Sequence, residues 1–207
     1  MVRGALKGGK VDWIVPVRLV GRHVTLVPLQ RNHRDGLVAA ASDGALWKLW
    51  YTSVPTPEDM ESDIATRLAW REQGSMLPFT VTETGTGTIL GMTSFGGINS
   101  VVRRLEIGWT WYASRAQRTA INTDAKRLLL THAFETLDCV AVELRTHALN
   151  QQSRRAIERL GAKLDGILRH HQLARDGTLR DSCVYSIVAP EWPSVRSHLT
   201  WQLDRPR

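Results

Sequence analysis

The spacing of apolar residues predicts a chain in which groups of strands alternate with helices. Period-two alternation, or a short apolar run bounded by glycine and polar residues, is typical of a strand. By this criterion the sequence predicts strands at 18–29, 77–83, 88–98, 105–112, 141–146, 163–171 and 183–188. The first of these contains Gly21 and is expected to bend there.

Helical spacing and end signals predict helices between these strands, at 33–41, 57–73, 125–136 and 150–160, and in the tail from 191 to 203. Thr56 is expected to cap the second helix, and Gly74 to end it. Asn150 is expected to cap the fourth helix, and Gly161 to end it.

The element order is therefore β-α-α-β-β-β-α-β-α-β-β, and the segment 105–146 forms a βαβ unit within it. This order predicts the mixed α/β (α+β) class: one central mixed, mostly antiparallel sheet of six to seven strands, with helices on both faces. We find no internal repeat or low-complexity linker. Residues 1–15 are expected to be an N-terminal extension, and residues 16–207 a single domain.

Composition narrows the choice of partner. The net charge is +7, and the sequence pI is about 10.0, which favours an anionic partner: nucleic acid, a polyphosphate cofactor or an acidic protein. No basic run is long enough for a nucleic-acid arm, so nucleic acid is disfavoured. There is no apolar stretch of membrane-spanning length and no secretory signal, so we expect a cytoplasmic protein with Cys139 and Cys183 as free thiols.

The turn QRTAINTDAK, at 117–126, joins an aromatic strand to an amphipathic helix. The first amides of a helix have no intrahelical acceptor and lie at the positive end of the helix dipole, so they bind anions. The small residues of this turn would let a phosphate approach the backbone, and Arg118 adds a cation. The alternative is an ordinary capped helix, with Asn122 as its N-cap and Asp124 beside the dipole.

The element order and this turn together resemble the GNAT superfamily of acyl-CoA N-acyltransferases, and the resemblance extends over about residues 17–195. The family places Arg/Gln-x-x-Gly-x-Gly/Ala between the strand and the helix. Here Gln117–Asn122 stands at that place, with Ala120 and Asn122 in the two glycine positions. The downstream Asn-x-x-Ser (150–153) and Glu-x-x-Gly (158–161), and both ends of the chain, resemble the branch of ribosomal-protein alanine N-acetyltransferases.

The resemblance implies acetyl-CoA as co-substrate, with its pyrophosphate on the turn and no metal. The implied cofactor-binding residues are Gln117, Arg118, Thr119, Ala120, Ile121, Asn122, Thr123, Asn150 and Arg155. Glu106 is the implied general base, or else a surface carboxylate paired with Arg103 or Arg104. Ser153 is the implied proton donor to the departing thiolate, or else bonds to its own helix turn. Tyr185 is an alternative acid, or else a core tyrosine.

Aromatic residues supply the candidate acceptor site. Trp47, Trp50 and Tyr51 lie between the first two helices and are expected to wall the acceptor, or else to pack in the core. Trp109 and Trp111 share a strand face by period two, and so pack or meet a second copy of the chain. His170 and His171 are adjacent on a strand and would face opposite ways, which disfavours a metal site.

The function implied is an N-acetyltransferase that moves an acetyl group from acetyl-CoA to a primary amine, either a protein N-terminal α-amine or a small-molecule amine. The alternative is a catalytically impaired GNAT-like module that binds CoA or a partner, because both glycine positions are substituted. A homodimer is also expected.

Overall fold

The computed structural model describes residues 13–174 and 176–205, and it places eight strands in one sheet. The strands are β1 (Leu19–Val20), β2 (Val24–Pro28), β3 (Leu77–Glu83), β4 (Ile89–Asn99), β5 (Arg104–Tyr112), β6 (Ala141–His147), β7 (Lys163–Leu173) and β8 (Leu179–Val188). Their order in the sheet is β1-β2-β3-β4-β5-β6-β8-β7. All neighbours are antiparallel except β5 and β6, which are parallel, so the predicted mixed, mostly antiparallel sheet is confirmed.

The sheet has eight strands, one more than the upper limit of the six to seven expected. The additional strand arises because the first predicted strand is a hairpin. The chain turns at Gly21, whose amide donates to the carbonyl of Val24 at 2.8 Å. Leu19 of β1 then pairs with Leu26 of β2. A glycine inside a strand pattern is compatible with a bend or with a full reversal, and the sequence does not distinguish the two.

Within the described residues, five α-helices accompany the sheet: α1 (Arg34–Ser42), α2 (Met60–Glu72), α3 (Ile121–Thr131), α4 (Gln151–Glu158) and α5 (Trp192–Asp204). A π-helical turn, His132–Thr136, extends α3. The predicted ends at Gly74 and Gly161 are confirmed, since both glycines have positive φ. The start of α2 at Met60 is three residues later than expected, because Thr56 caps a turn: its hydroxyl accepts from the Asp59 amide at 3.2 Å.

The core is divided into two clusters of buried apolar side chains. The larger joins the sheet to α3, α4 and α5 and includes Phe95, Leu129 and Tyr185. The smaller joins the sheet to α1 and α2 and includes Met60 and Trp111. Helices therefore cover both faces of the sheet, as expected. Among the described residues, no helix is long and apolar enough to cross a membrane.

Most of the expected extension, residues 1–15, lies outside the described residues. Its last residues are described, and they contact the domain. The Trp13 indole donates to the carbonyl of Leu137 at 3.1 Å, and Trp13 and Ile14 pack against the larger core cluster. Cys139 and Cys183 are both buried free thiols.

Strand β5 contains a bulge that separates its two tryptophans. Met92 of β4 pairs with Trp111, but Ser94 pairs with Gly108, so two residues of β5 lie opposite one of β4. Trp109 adopts φ +51°, a left-handed conformation that few residues other than glycine adopt. Trp111 is buried while Trp109 is 41% exposed. The period-two expectation for this pair was therefore wrong, because the bulge interrupts the alternation.

Candidate functional site

The parallel strands β5 and β6 pair only at their beginnings. The ladder contains three pairs and ends where Glu106 lies opposite Glu143. Beyond it, β5 continues to Tyr112 and β6 to His147 without pairing to each other. This leaves a gap in the middle of the sheet, bordered by backbone groups that have lost their neighbouring strand. Helices α3 and α4 follow the two strands, so both helix N-termini lie beyond the gap.

The turn before α3 keeps its shape without glycine. Ala120 has φ −69°, a helical value, and α3 begins at the next residue. The positive φ in this turn, +60°, belongs instead to Arg118. A side chain at position 120 is therefore compatible with the backbone, and neither substituted glycine position requires glycine for conformational reasons. Asn122 lies inside the helix, so its alternative role as the N-cap was wrong.

Two amides at the start of α3 are available to a ligand. The first intrahelical bond is donated by the Asp124 amide to the carbonyl of Ala120 at 2.9 Å. The Ile121 amide donates to the hydroxyl of Thr119 at 3.2 Å. The amides of Asn122 and Thr123 have no acceptor in the part of the chain that the structure describes. This is the arrangement that favours an anion at a helix N-terminus.

Two threonines of the turn have structural roles that the sequence did not indicate. The Thr119 hydroxyl donates to the carbonyl of Ala116 at 2.7 Å. The Thr123 side chain is fully buried and accepts from the guanidinium of Arg159 at 3.0 Å. Both residues are implied cofactor-binding residues, but their hydroxyls already bond within the protein, so Thr123 can contribute only its amide to a ligand. The side chain of Ile121 is also buried.

The N-terminus of α4 lies beside the turn. The Gln152 side-chain amide donates to the side-chain carbonyl of Gln117 at 3.2 Å. Gln117 also donates to the carbonyl of Tyr112 at 3.0 Å. Asn150 caps α4 as expected, with Oδ1 accepting from the Ser153 amide at 3.0 Å, so only the amino group of its side chain is free for another partner.

Three polar side chains stand around these two helix starts. Arg118 and Arg155 are both exposed, and their guanidinium groups have no ion-pair partner among the described residues. Ser153 is half-buried, and its hydroxyl makes no hydrogen bond to the described residues, which leaves it available on the first turn of α4. Arg118 and Arg155 supply positive charge near the free amides.

Glu106 lies at the mouth of the gap. Its side chain is 15% exposed, and its Oε2 lies 3.6 Å from Nε of Arg145. Burial raises the pKa of Glu106, while the positive charges of Arg145 and Lys126 oppose that rise. The alternative pairing with Arg103 or Arg104 was wrong: Arg103 pairs with Asp138 and Arg104 with Glu143. A carboxylate whose pKa is raised towards neutrality is suited to general-base catalysis.

Lys126 is buried under the same region of the sheet, and no local pattern in the sequence indicated its environment. Its Nζ donates to the hydroxyl of Thr110 at 2.6 Å and lies 3.3 Å from the hydroxyl of Thr93. Burial lowers the pKa of Lys126 to about 7, and Glu106 opposes this. The helical pattern placed position 126 next to an apolar face but could not identify the threonines beneath it.

Tyr185 is a core tyrosine rather than a group that faces the gap. It is fully buried. Its hydroxyl donates to Glu158 at 2.8 Å and accepts from Nε of Arg154 at 3.0 Å. Because both partners come from α4, the hydroxyl serves to fasten that helix to the sheet. The alternative role of Tyr185 as an acid is therefore not supported by its position.

The aromatic segment before α2 forms one wall of a cavity of about 180 Å³. The cavity is lined by Trp50, Tyr51, Thr52, Ser53, His147, Gln172, Leu173, Ala174 and Arg180. The rings of Trp50 and His147 meet edge to face, with centroids 5.3 Å apart. His147 ends β6, so the cavity lies at the end of the strand that borders the gap. Nothing in the sequence joined His147 and Arg180 to the aromatic segment.

Trp47 does not line this cavity. It lies in the short helical turn Leu46–Lys48 and packs against the smaller core cluster. Its expected role at the acceptor site is therefore corrected to core packing, whereas Trp50 and Tyr51 do lie at the cavity. Trp50 is 58% exposed, which places an aromatic ring at the rim.

The histidine pair 170–171 lies at a second irregularity, where the β7–β8 register shifts between Leu168 and Gln172. The His170 amide donates to Asp181 at 2.8 Å, and the His171 ring is 3.1 Å from the hydroxyl of Ser182. Within residues 13–174 and 176–205, no three His, Cys, Asp or Glu side chains are arranged to hold a metal ion.

Comparison with known proteins gives a consistent result. The model of the Acetyltransferase (GNAT) domain family matches residues 23–163. YdaF of Bacillus subtilis strain 168, which has the provisional name of a ribosomal N-acetyltransferase, is 35% identical over 106 residues. That alignment covers 51% of this chain and 57% of YdaF, so the chain matches little more than half the length of this curated relative.

Two solved structures extend the likeness over nearly the whole chain. A GCN5-related N-acetyltransferase from Brucella melitensis is 26% identical with a TM-score of 0.81, over 92% of this chain and 86% of that one. RimJ of Mycobacterium smegmatis, solved in complex with CoA-disulfide, is 23% identical with a TM-score of 0.76, over 90% and 95% of the two chains. At that identity, the likeness to RimJ concerns the fold alone.

Proposed function

We propose, since this chain belongs to the GNAT acetyltransferase family, that it transfers an acetyl group from acetyl-CoA to a primary amine. The observation on which this depends is the gap between β5 and β6. Glu106, a carboxylate with a raised pKa, lies where the β5–β6 ladder ends, and α3, with its free amides, follows β5 beyond that point. We assign the activity to a single domain over residues 16–207.

The residues around the gap fit the chemical groups of coenzyme A. The amides of Asn122 and Thr123 are suited to its pyrophosphate, because Ala120 keeps a helical φ and leaves the approach open. Arg118 and Arg155 add positive charge for the phosphates. The unpaired backbone of β5 and β6 and the amino group of Asn150 are suited to the amide groups of the pantetheine arm. When bound, acetyl-CoA supplies a reactive thioester.

The proposed chemistry assigns a proton transfer to each of two residues. The acceptor must be neutral to attack, and an α-amino group has a pKa of about 8. Glu106 takes the proton from this amine, either directly or through a water molecule. The hydroxyl of Ser153, free of other described partners, donates a proton to the departing thiolate. The charge of Arg145, 3.6 Å from the Glu106 carboxylate, limits the rise of its pKa.

A protein N-terminal α-amine is the acceptor that we favour over a small-molecule amine. YdaF has the provisional name of a ribosomal N-acetyltransferase, and Trp50 and Tyr51 provide an aromatic wall beside the end of β6. An acceptor of this kind would meet the enzyme in the cytoplasm. The expected homodimer stays a prediction.

Calorimetric titration with acetyl-CoA at two salt concentrations, followed by an assay of CoA release with peptides and polyamines, tests the proposal. We expect micromolar binding and release of CoA that depends on an amine. Replacing Glu106 with Gln should lower kcat/KM by about 10²-fold without changing the affinity for acetyl-CoA. The control Glu72→Gln makes the same charge change at the end of α2 and should have no effect.

Two results would contradict the proposal in different ways. An absence of acetyl-CoA binding would remove both the cofactor and the reaction. Tight binding without turnover on any amine would instead favour the alternative, a CoA-binding or interaction module with no catalytic activity.

A further inference from the structure

The cavity beside Trp50 contains a cation that has no counter-ion among the described residues. Arg180 lines the cavity, and its guanidinium forms no ion pair with any carboxylate in the part of the chain that the structure describes. Its Nε is buried and has no hydrogen-bond partner there. A buried polar atom without a partner costs about 1–3 kcal/mol, so this nitrogen of Arg180 is unsatisfied within the described residues.

The other groups at the cavity are also suited to an anion. Among the described residues that line it, none is acidic. Asp181, the next residue after Arg180, pairs instead with Arg169 at 3.2 Å. The ring nitrogen Nδ1 of His147 accepts from the amide of Leu149 at 3.0 Å. In a neutral imidazole this leaves Nε2 as an N–H donor. Burial and the charge of Arg180 lower the pKa of His147 and favour that neutral form, although the charge of Asp181 acts in the opposite direction.

We infer that this cavity binds a carboxylate carried by the acceptor close to its reacting amine, with Arg180 as the residue that recognises it. Guanidinium and carboxylate form paired, charge-assisted hydrogen bonds of defined geometry. The flanking aromatic side chains of Trp50 and Tyr51 reduce access of water on one side. This inference rests on the proposed function, and it adds a substrate class: amines with a nearby acidic group.

The acceptor that we assign is a polypeptide N-terminus with an acidic side chain among its first residues. Trp50 stands at the rim with much of its ring exposed, so a chain can extend from the cavity into solvent. The protein as a whole has a net charge of +7, which favours the approach of an acidic polypeptide. A free amino acid with an acidic side chain has the same chemistry, and a comparison of free glutamate with the peptides distinguishes the two.

Matched peptides test the inference. The set has one glutamate placed at position 2, 3 or 4 behind a common N-terminal residue, and an otherwise identical set has glutamine there. Affinity for the CoA-loaded protein is measured by calorimetry, and kcat/KM by CoA release. We expect one glutamate position to bind about tenfold more tightly than its glutamine counterpart. Arg180→Gln should abolish that preference and leave the glutamine peptide unaffected.

Two further variants separate the effect of paired geometry from the effect of net charge. Arg180→Lys keeps the charge but not the paired geometry, so it should restore only part of the preference. Arg31→Gln removes one positive charge from an exposed position outside the cavity and should keep the preference intact. If Arg31→Gln lowered the preference as much as Arg180→Gln, the effect would come from net charge, and the inference would be overturned.

The remaining outcomes separate this inference from the proposed function. A preference that is absent at all positions, or that persists in Arg180→Gln, overturns it. An Arg180-dependent gain seen for free glutamate but for no peptide overturns the polypeptide acceptor. An Arg180-dependent binding preference without acetyl transfer to any amine supports the inference and overturns the proposed reaction instead.

Discussion

Asp124, in the first turns of α3, binds the backbone at the start of β2: its Oδ2 accepts from the amide of His23 at 2.7 Å and from the amide of Val24 at 3.2 Å. The side chain of Asp124 is fully buried. It also pairs with Arg127 one turn further along α3, at 3.2 Å. The helix that supplies the free amides is therefore held to the sheet by a buried carboxylate as well as by apolar packing.

The space around this carboxylate explains Gly21. A Cβ at position 21 would lie 2.5 Å from Oδ2 of Asp124. We expect Gly21→Ala to destabilise the protein by about 1–3 kcal/mol, because it forces the carboxylate away from the two amides. In an Asp124→Ala background the clash is absent, so the same substitution should cost much less. Urea unfolding of the four proteins in this cycle measures the coupling.

The control is Gly166→Ala in β7, where an added Cβ would meet no atom within 4 Å. It should change the free energy of unfolding by less than about 0.5 kcal/mol. Equal costs for Gly21→Ala in the two backgrounds would show that Asp124 is not the obstacle.

Local signals in the sequence predicted the helix ends marked by Gly74, Asn150 and Gly161, and the reasons are physical. Gly74, Asn150 and Gly161 act through their own backbone conformation or a bond to a residue three positions away, so a short window of sequence is enough to identify them. Gly21 acts through Asp124, about a hundred residues away in the chain. That Gly21 forms a hairpin rather than a bend could not be predicted from the neighbouring residues in the sequence.

The residues of the candidate site also separate into those that could be predicted from local sequence and those that could not. The turn before α3 and the cap of α4 could be located from spacing and from the family resemblance. The cavity could not, because it joins Trp50 to His147 and Arg180, which are brought together only by the order of strands in the sheet. The bulge at Trp109 was also hidden, since its sequence alternates like an ordinary strand.

Lys126 should make stability rise with pH near neutrality. Its pKa falls from 10.5 in the unfolded chain to about 7 in the folded protein, so between these values the unfolded state binds more protons than the native state. By linkage, folding is penalised below about pH 7, and the penalty is relieved as the pH rises towards 10.5. We expect Lys126→Met to stabilise the protein at pH 7 by on the order of 2 kcal/mol, after allowing for the lost bonds to Thr93 and Thr110.

The measurement is the urea midpoint of wild type and Lys126→Met at several pH values from 7 to 8.5. The difference between the two proteins at each pH isolates Lys126 from other titrating groups, and it should shrink as the pH rises. A difference that does not change with pH would mean that the lysine keeps an ordinary pKa in the folded protein.

Arg145 should set the pH at which the enzyme loses activity in acid. It lies 3.6 Å from Glu106 and lowers the pKa of that carboxyl against the effect of burial. Without this charge the pKa of Glu106 rises further, so the base is protonated at a higher pH. We expect Arg145→Gln to move the acid limb of kcat/KM upward by about one pH unit, as measured from the rate of CoA release across pH 5–9.

The matched control is Arg104→Gln, because Arg104 pairs with Glu143 at 2.6 Å but not with Glu106. This variant should leave the acid limb where it is. A shift of the same size in both variants would show that Glu143, which both arginines contact, is the titrating group instead.

Asn122 tests whether backbone amides, rather than side chains, hold the pyrophosphate. The residue lies half-buried in the first turn of α3, beside the amides that have no described acceptor. Asn122→Ala keeps these amides open, so the affinity for CoA should change less than about threefold. Asn122→Trp places a large ring over them and should weaken binding more than about tenfold. Calorimetry gives both affinities, and circular dichroism melts verify that both variants are folded. A large loss in Asn122→Ala would assign the contact to the side-chain amide, whereas unchanged affinity in a folded Asn122→Trp variant would place the anion away from this helix start.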